Sequence, residues 1–448
     1  MPTAVPHLAG NYAPVSEELT SYDLAVTGSI PKELTGWYLR NGPNPHEAAA
    51  AHWFIGQGMV HGVRLEGGRA TAFRNRWVRT ATLTEGATLF DQFGNRNFTA
   101  GSANTHVVRH AGRTLALAEA CLPYQLTADL DTVGPHDFGG RLTTAMNAHP
   151  KTCPVTGELH FFGYGILTPP FLTYHRADAA GNLTLSRDVD EVGPTMMHDF
   201  ALTAKHVIFM DLPVVFDINR AMTGDTMPYR WDASYGARIG VLRRDDPHGA
   251  IRWFDIEPCY VFHVSNAHDD GDTIVLSVIR YSELWVADSA QEYPDSTLWQ
   301  WTVDLAAGKV TEAQVDDRTT EFPRIDERLA GLDARYTHTV IAAAHPRHEH
   351  VPGALLRYDM HSGAVDQHTF GPGRIPSEAA FAPADDRAGG DGWLMTYVYD
   401  AARDSSDLVI VDVSDMTAEP VATIHLPQRV PFGFHGNWLP DVEAGLPR

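Results

Sequence analysis

The sequence predicts an all-β protein built as a closed, radial array of blades, a β-propeller. Short runs of alternating apolar and polar residues recur along the whole chain, and each is broken by a turn that contains glycine. Stretches with helical periodicity are few, and no Ser/Gly-rich or Pro-rich linker divides the chain. Strand pairs that continue through 448 residues without a linker favour a closed array, because closure leaves no long sheet edge exposed.

Taken in order, the predicted strands come in pairs that share one pattern, two alternating runs joined by a tight turn. A single short strand comes first and ends in the turn Gly42-Pro43-Asn44-Pro45. Strand pairs are then predicted at 52–79, 107–117, 173–185, 301–310, 356–365 and 408–424. Blades of roughly 50 to 65 residues, near the kelch period, give seven or eight blades in one domain spanning residues 1–448, and the lack of a repeated Trp-Asp pair excludes the WD40 type.

Composition and charge exclude several function classes. The chain has 34 Lys and Arg against 56 Asp and Glu, a formal net charge of −22, which repels nucleic acids and disfavours electrostatic adhesion to anionic lipid. Three cysteines without a CxxC pair give neither a disulfide framework nor a cysteine zinc site. No signal-like or membrane-spanning run is present, so we expect a cytoplasmic protein, with the oligomeric state open and a monomer favoured.

Four histidines in apolar settings are the candidate metal ligands: His149, His198, His263 and His435. Most of the 23 histidines must be surface or core residues, and a single histidine in an apolar run is more often a hydrogen-bonded core residue than a ligand. The separations of these four are 49, 65 and 172 residues, close to one, one and three blades. Equivalent strand positions of different blades converge in a propeller, so this spacing predicts that the four imidazoles meet at one metal ion.

Other motifs in the sequence offer rival sites. The segment His345-Pro346-Arg347-His348-Glu349-His350 is rich in metal-binding side chains, but its polar, proline-bearing context is typical of an exposed loop. The sequence contains no HExxH, GxSxG or P-loop motif. A propeller hydrolase or lactonase, with acidic and amide ligands around calcium, and a propeller that only binds a partner both stay open as alternatives.

The chain resembles the carotenoid cleavage oxygenase family. The motifs that carry the resemblance extend over nearly the whole chain: Leu39-Arg40-Asn41-Gly42-Pro43-Asn44-Pro45, Gly58-Met59-Val60-His61-Gly62, Ala148-His149-Pro150-Lys151, Met197-His198-Asp199-Phe200, Phe262-His263, Pro376-Ser377-Glu378 and Phe434-His435-Gly436. The resemblance implies a seven-bladed propeller, with a loop and helical cap over an axial iron site. It also implies Fe(II) as the cofactor, held by the four histidines without a carboxylate in direct contact with the ion.

The resemblance also implies residues that support these ligands. Glu119 and Glu378 match family glutamates that fix the imidazole tautomer. A third carboxylate is expected ahead of a Gly-aromatic-Leu strand, where this chain offers only Asp391, either a substitute or a turn residue. Thr105 matches a threonine near the open face of the iron.

The implied reaction is oxidative cleavage of one conjugated carbon–carbon double bond by O2, which gives two carbonyl products. A carotenoid or apocarotenoid is the expected substrate, and a phenolic stilbene or phenylpropenoid is the alternative. Stilbene cleavers of the family tend to carry a lysine just before the first glutamate, where this chain has Ala118. Two apolar stretches, 163–172 and 212–216, are candidates for admitting a lipophilic substrate or touching a membrane, with ordinary core as the competing interpretation.

Overall fold

The computed structural model describes residues 8–46, 52–91, 93–286, 293–341 and 353–441. Within this part of the chain the structure is almost entirely β-sheet, with two five-residue α-helices, α1 (Ala81–Glu85) and α2 (Ile218–Met222). Neither helix has the length or the hydropathy needed to cross a bilayer, and the described residues contain no other candidate.

The strands are short and follow one another closely, as the turn signals predict. Those before residue 200 are β1 (Thr20–Tyr22), β2 (Val26–Gly28), β3 (Gly36–Pro43), β4 (Gly58–Glu66), β5 (Arg69–Trp77), β6 (His106–His110), β7 (Arg113–Leu117), β8 (Tyr124–Leu126), β9 (Thr132–Pro135), β10 (Lys151–Thr152), β11 (Leu159–Tyr164), β12 (Leu172–Ala177) and β13 (Leu183–Asp188). Those between residues 200 and 330 are β14 (Ala201–Leu202), β15 (His206–Asp211), β16 (Val214–Phe216), β17 (Tyr229–Trp231), β18 (Arg238–Arg243), β19 (Arg252–Asp255), β20 (Tyr260–Asp270), β21 (Thr273–Tyr281), β22 (Ser296–Asp304), β23 (Lys309–Gln314) and β24 (Glu321–Arg324). The last are β25 (Tyr336–Ile341), β26 (Ala354–Asp359), β27 (Val365–Thr369), β28 (Arg374–Pro376), β29 (Ala380–Pro383), β30 (Gly392–Asp400), β31 (Ser405–Asp412), β32 (Ala422–His425) and β33 (Gly436–Pro440).

Backbone contacts divide the chain into two compact units. The terminal unit comprises Met1–Ala145, His338–Tyr358 and Ala364–Arg448, and the central unit comprises Met146–Thr337 and Asp359–Gly363. In the terminal unit the sheets run β1-β5-β4-β3-β33, β6-β7-β8-β9 and β2-β32-β31-β30-β28, with β29 against β30. The first and third of these sheets each join an N-terminal strand to a C-terminal one, because β3 pairs with β33 and β2 with β32.

The sheets of the central unit are continuous in sequence. They run β10-β11-β12-β13, β14-β15-β18-β19 and β20-β21-β22-β23, with a small β16-β17 pair. A further sheet has the order β24-β25-β26-β27. The described residues therefore form seven sheets of at least four strands, and the predicted all-β fold, a seven-bladed β-propeller, is confirmed.

Each predicted strand pair is present as an antiparallel hairpin. One local interpretation was wrong. The strand predicted from residue 52 starts at Gly58, because the backbone N–H of Phe54 bonds to the Nδ1 of His52 (3.0 Å) and turns the chain before the ladder begins. The apolar stretch at 212–216 is mostly buried and gives β16, so ordinary core is correct there, whereas Leu167 in the other stretch is 47% exposed.

The burial of His175 in β12 predicts that the stability of the folded chain depends on pH. This side chain is 1% exposed, faces the ring of Phe161 and shares a hydrogen bond between its Nδ1 and the Oγ of Ser186 (2.9 Å). Burial lowers the pKa of His175 from 6.5 to about 4. Between these values the unfolded chain binds the proton and the folded chain does not, so stability is lost as the pH falls.

We therefore expect the free energy of unfolding of wild type to fall, relative to His175→Gln, by about 2 kcal/mol between pH 7 and pH 5. Urea unfolding of both proteins at the two pH values measures this difference. The glutamine variant cancels the contributions of every other titrating group. An equal change in both proteins would show that the pKa of His175 is the same in the folded and the unfolded chain.

Candidate metal centre

The four candidate ligands occupy equivalent places in four sheets. His149 lies just before β10, His198 before β14, His263 within β20 and His435 directly before β33. Each of these strands is the edge strand of its sheet. The blade-multiple spacing in the sequence thus corresponds to a repeated structural position, as the propeller fold requires.

The four side chains form a potential metal site. Each offers one ring nitrogen, these atoms lie within 4.8 Å of one another, and only His198 is more than slightly exposed. In the central unit the Nε2 atoms of His149 and His198 are 2.9 Å apart. Two imidazoles on neighbouring positions of one ion, with metal–nitrogen bonds of about 2.1 Å, hold their nitrogens about 3 Å apart. The donor set therefore fits a metal ion that prefers imidazole.

Glu378 fixes the ring of His435 in the terminal unit. The Nδ1–H of His435 donates to Oε1 of Glu378 (2.9 Å), and the backbone N–H of Gly436 donates to Oε2 (2.7 Å). Both side chains are buried, at 4% exposure each. Because a carboxylate accepts the Nδ1 proton, the Nε2 lone pair is the one left for a metal.

His263 has a matching partner that sequence reasoning missed, Glu321. The Nδ1–H of His263 donates to Oε2 of Glu321 (2.6 Å), and the phenol of Tyr281 donates to Oε1 (3.0 Å). Burial, followed by the nearby carboxylate, raises the pKa of Tyr281 well above its usual range, so the phenol keeps its proton. Asp391, the carboxylate considered from the sequence, is exposed in the turn before β30 and is only a turn residue.

The only available signal for Glu321 was local and weak. Glu321 opens β24 in the sequence Glu321-Phe322-Pro323-Arg324, an acidic residue at the start of a strand that becomes buried. The resemblance places the third carboxylate ahead of a Gly-aromatic-Leu strand, and residues 389–394 match that pattern whereas the residues after Glu321 do not.

Thr105 and Glu119 flank one hairpin, β6-β7: Thr105 directly precedes β6, and Glu119 follows β7. The backbone N–H of Thr105 donates to the carbonyl of Leu117 (2.8 Å), and the backbone N–H of His435 donates to the carbonyl of Thr105 (3.0 Å). The Thr105 hydroxyl donates to Oδ1 of Asn104 (3.0 Å) and is 8% exposed. Glu119, two residues past the end of β7, is half-buried. Thr105 therefore contacts a ligand-bearing segment, while a direct role for either side chain stays a prediction.

Arg40, from the motif that opens the resemblance, holds the segment that carries His435. Its guanidinium is buried, donates to Oγ of Ser377 (3.1 Å) and to the carbonyl of Pro431, and lies over the ring of Tyr397. Burial lowers the pKa of Arg40, and the phenols of Tyr38 and Tyr397 and the carboxylate of Glu378 oppose that shift. Arg40 thus provides positive charge in the buried surroundings of Glu378.

The cluster His345–His350, set aside in the sequence, lies outside the described residues.

The two alternatives for the third carboxylate give a direct test. We expect Glu321→Gln to weaken binding of a metal ion, tested with Fe(II) as the probe, by about 10- to 100-fold, because the ring of His263 loses the acceptor that fixes its tautomer. The affinity is measured by anaerobic competition with a chromogenic chelator. Asp391→Asn is the matched control and should bind Fe(II) as wild type does. Equal affinities in both variants, or a larger loss in Asp391→Asn, would contradict the assignment of Glu321.

Comparison with known proteins identifies the family of this chain. Residues 12–440 match the family model described as "Retinal pigment epithelial membrane protein". The chain is 40% identical to the "Carotenoid cleavage oxygenase" of Mycobacterium tuberculosis, over 98% of each chain. Among solved structures it is similar to the lignostilbene dioxygenase of Pseudomonas brassicacearum (TM-score 0.87, 26% identity, 98% of this chain and 99% of that chain). It is also similar to the cobalt-substituted apocarotenoid oxygenase of Synechocystis (TM-score 0.84, 27% identity, 96% and 97%). The chain therefore belongs to the carotenoid cleavage oxygenase family and is an alkene-cleaving dioxygenase of that family.

Proposed function

We propose that this protein is a non-heme Fe(II) dioxygenase that cleaves one double bond of a carotenoid or apocarotenoid with O2 and yields two carbonyl products. The observation that carries the proposal is the group of four histidine nitrogens within 4.8 Å of one another. His149, His198, His263 and His435 would hold the iron. When bound, Fe(II) supplies the electron transfer that lets O2 react with a closed-shell alkene.

The chain's own contribution is to hold neutral donors in fixed directions. The carboxylates of Glu321 and Glu378 accept hydrogen bonds from the Nδ1–H groups of His263 and His435, so each of these two imidazoles presents its Nε2. These two carboxylates together carry two negative charges, which balance a divalent cation without occupying a coordination position. Positions on a bound ion would thereby be left for O2 and substrate.

Aromatic side chains pack against His198 and His263 and against the residue that precedes His435. In the central unit Phe262 packs edge-on against His198 (5.2 Å between ring centroids) and Phe322 stacks on His263 (5.3 Å). In the terminal unit Trp53 and Phe54 pack against Phe434, the neighbour of His435. Apolar neighbours of this kind suit a long conjugated hydrocarbon better than a polar substrate.

A carotenoid or apocarotenoid is preferred over a stilbene. The M. tuberculosis relative, at 40% identity, is named for carotenoid cleavage, whereas the lignostilbene dioxygenase is 26% identical. Ala118 is buried at 5% exposure and brings no cation for a phenol to the position where the resemblance places a lysine in stilbene cleavers. Cleavage of a phenolic stilbene stays the second candidate, because the lignostilbene enzyme shares the fold over nearly its full length.

A single propeller domain across residues 1–448 agrees with the match to the M. tuberculosis relative over 98% of this chain. Leu167 in the loop between β11 and β12 is 47% exposed and is a candidate for transient contact with a membrane that holds the substrate. A cytoplasmic location and a monomeric state stay predictions.

The deciding experiment is iron content and O2 uptake of protein loaded anaerobically with Fe(II). We expect one iron per chain and O2 consumption when an apocarotenoid is supplied, and the loss of both in His263→Ala. His268→Ala, five residues along the same strand and outside the four-histidine group, is the matched control and should keep both.

The substrate that triggers uptake separates the two candidates. Uptake with a hydroxylated stilbene and none with an apocarotenoid would favour the stilbene reaction. Negligible iron in both wild type and His263→Ala, or calcium in its place, would overturn the proposal and favour a hydrolase or a binding scaffold.

A further inference from the structure

One buried carboxylate, that of Asp199, joins the three ligand-bearing segments of the central unit. Asp199 is 1% exposed and lies next to His198 in sequence. Its Oδ1 accepts from the Nζ of Lys151 (2.8 Å) and from the backbone N–H of Phe200 (2.8 Å). Its Oδ2 accepts from the backbone N–H of Val264 (2.8 Å). Neither the tautomer-fixing glutamates nor the ligands themselves explain this arrangement.

The partners of Asp199 are significant because of where they lie in the chain. Lys151 is two residues after His149, and Val264 directly follows His263. The three segments belong to three different sheets, those that begin with β10, β14 and β20. A bond anchored one or two residues from a ligand moves that ligand with it, so one carboxylate constrains the relative positions of three imidazoles.

The chemistry of the contact makes it specific for a carboxylate. Three donors converge on Asp199, and an asparagine of the same shape brings an NH2 group that must face one of them. The resulting donor–donor contact displaces either the Lys151 or the Val264 segment, and a buried polar group without a partner is strongly unfavourable. Lys151 is 22% exposed, so it can be changed with less disturbance of the interior.

We propose that Asp199, together with Lys151, is a positioning residue that sets the spacing of His149, His198 and His263 for metal binding. This inference rests on the proposed function, in which these histidines hold the metal. Asp199 acts through the backbone and does not itself contact the ion.

The test uses Co2+ as a spectroscopic probe on the full chain. We expect Asp199→Asn to bind Co2+ about 10- to 100-fold more weakly than wild type, the range found when residues that support metal ligands are changed. The visible absorption bands of bound Co2+ should also change, because they report the arrangement of the ligands. Lys151→Met should show the same change in smaller measure, and Lys151→Arg, which retains the cation, should restore the wild-type spectrum.

Asp407→Asn is the control for a merely structural loss. Asp407 is also fully buried and accepts hydrogen bonds from Arg374, Arg403 and His425, none of which belongs to the site. The Asp407→Asn variant should have a lower melting temperature than wild type but the same Co2+ affinity and absorption spectrum. If Asp199→Asn, or Lys151→Met should the asparagine variant not fold, lowers the melting temperature but binds Co2+ with wild-type affinity and spectrum, the inference is overturned. If wild type itself binds no Co2+ or Fe(II), the proposed function has failed, which is a distinct result.

Discussion

Four imidazoles can serve one ion only if each ring is held in one tautomer and one direction, and the site depends on how this is done. A lone hydrogen bond to Nδ1 would fix the tautomer but leave the acceptor free to rotate. Glu378 avoids this because its second oxygen is bonded by Gly436, and Glu321 because its second oxygen is bonded by Tyr281. Each buried hydrogen bond to a charged group contributes about 1.5 to 3 kcal/mol, enough to hold a ring in place.

These carboxylates create a requirement elsewhere in the fold, since buried negative charge needs compensation when no metal is bound. In the terminal unit Arg40 meets part of that requirement for Glu378 and also bonds to the carbonyl of Pro431. The neighbouring backbone is held in the same way, because the N–H of Asn41 donates to the carbonyl of His435 (3.0 Å). The segment around Arg40 and the segment around His435, almost 400 residues apart, are thereby hydrogen-bonded to each other. The pairing of β3 with β33 brings them together.

The sequence was informative where structure is decided locally. Hairpins such as β4-β5 follow from glycine turns between alternating runs, and all the predicted pairs are present. The four histidines were identified because blade spacing repeats along the chain. Glu321 and Asp199 were not identified as functional, since the choice of a hydrogen-bond partner from another sheet leaves no periodic signal. Asp391 is the opposite case. Its neighbours in the sequence match the pattern expected around the third carboxylate, but its exposure in a turn excludes that role.

The division of labour between neutral ligands and outlying carboxylates also bears on the chemistry. A carboxylate bound directly to the ion would neutralise it but would take a position that O2 or substrate needs. Glu321 and Glu378 instead bond to the imidazoles of His263 and His435, so their negative charge would act on a bound ion through the ligand ring. Both rings are buried, and the low dielectric of a buried site strengthens this interaction. In the proposed reaction, a metal ion whose charge is nearly balanced in this way would hold an uncharged polyene and O2 together.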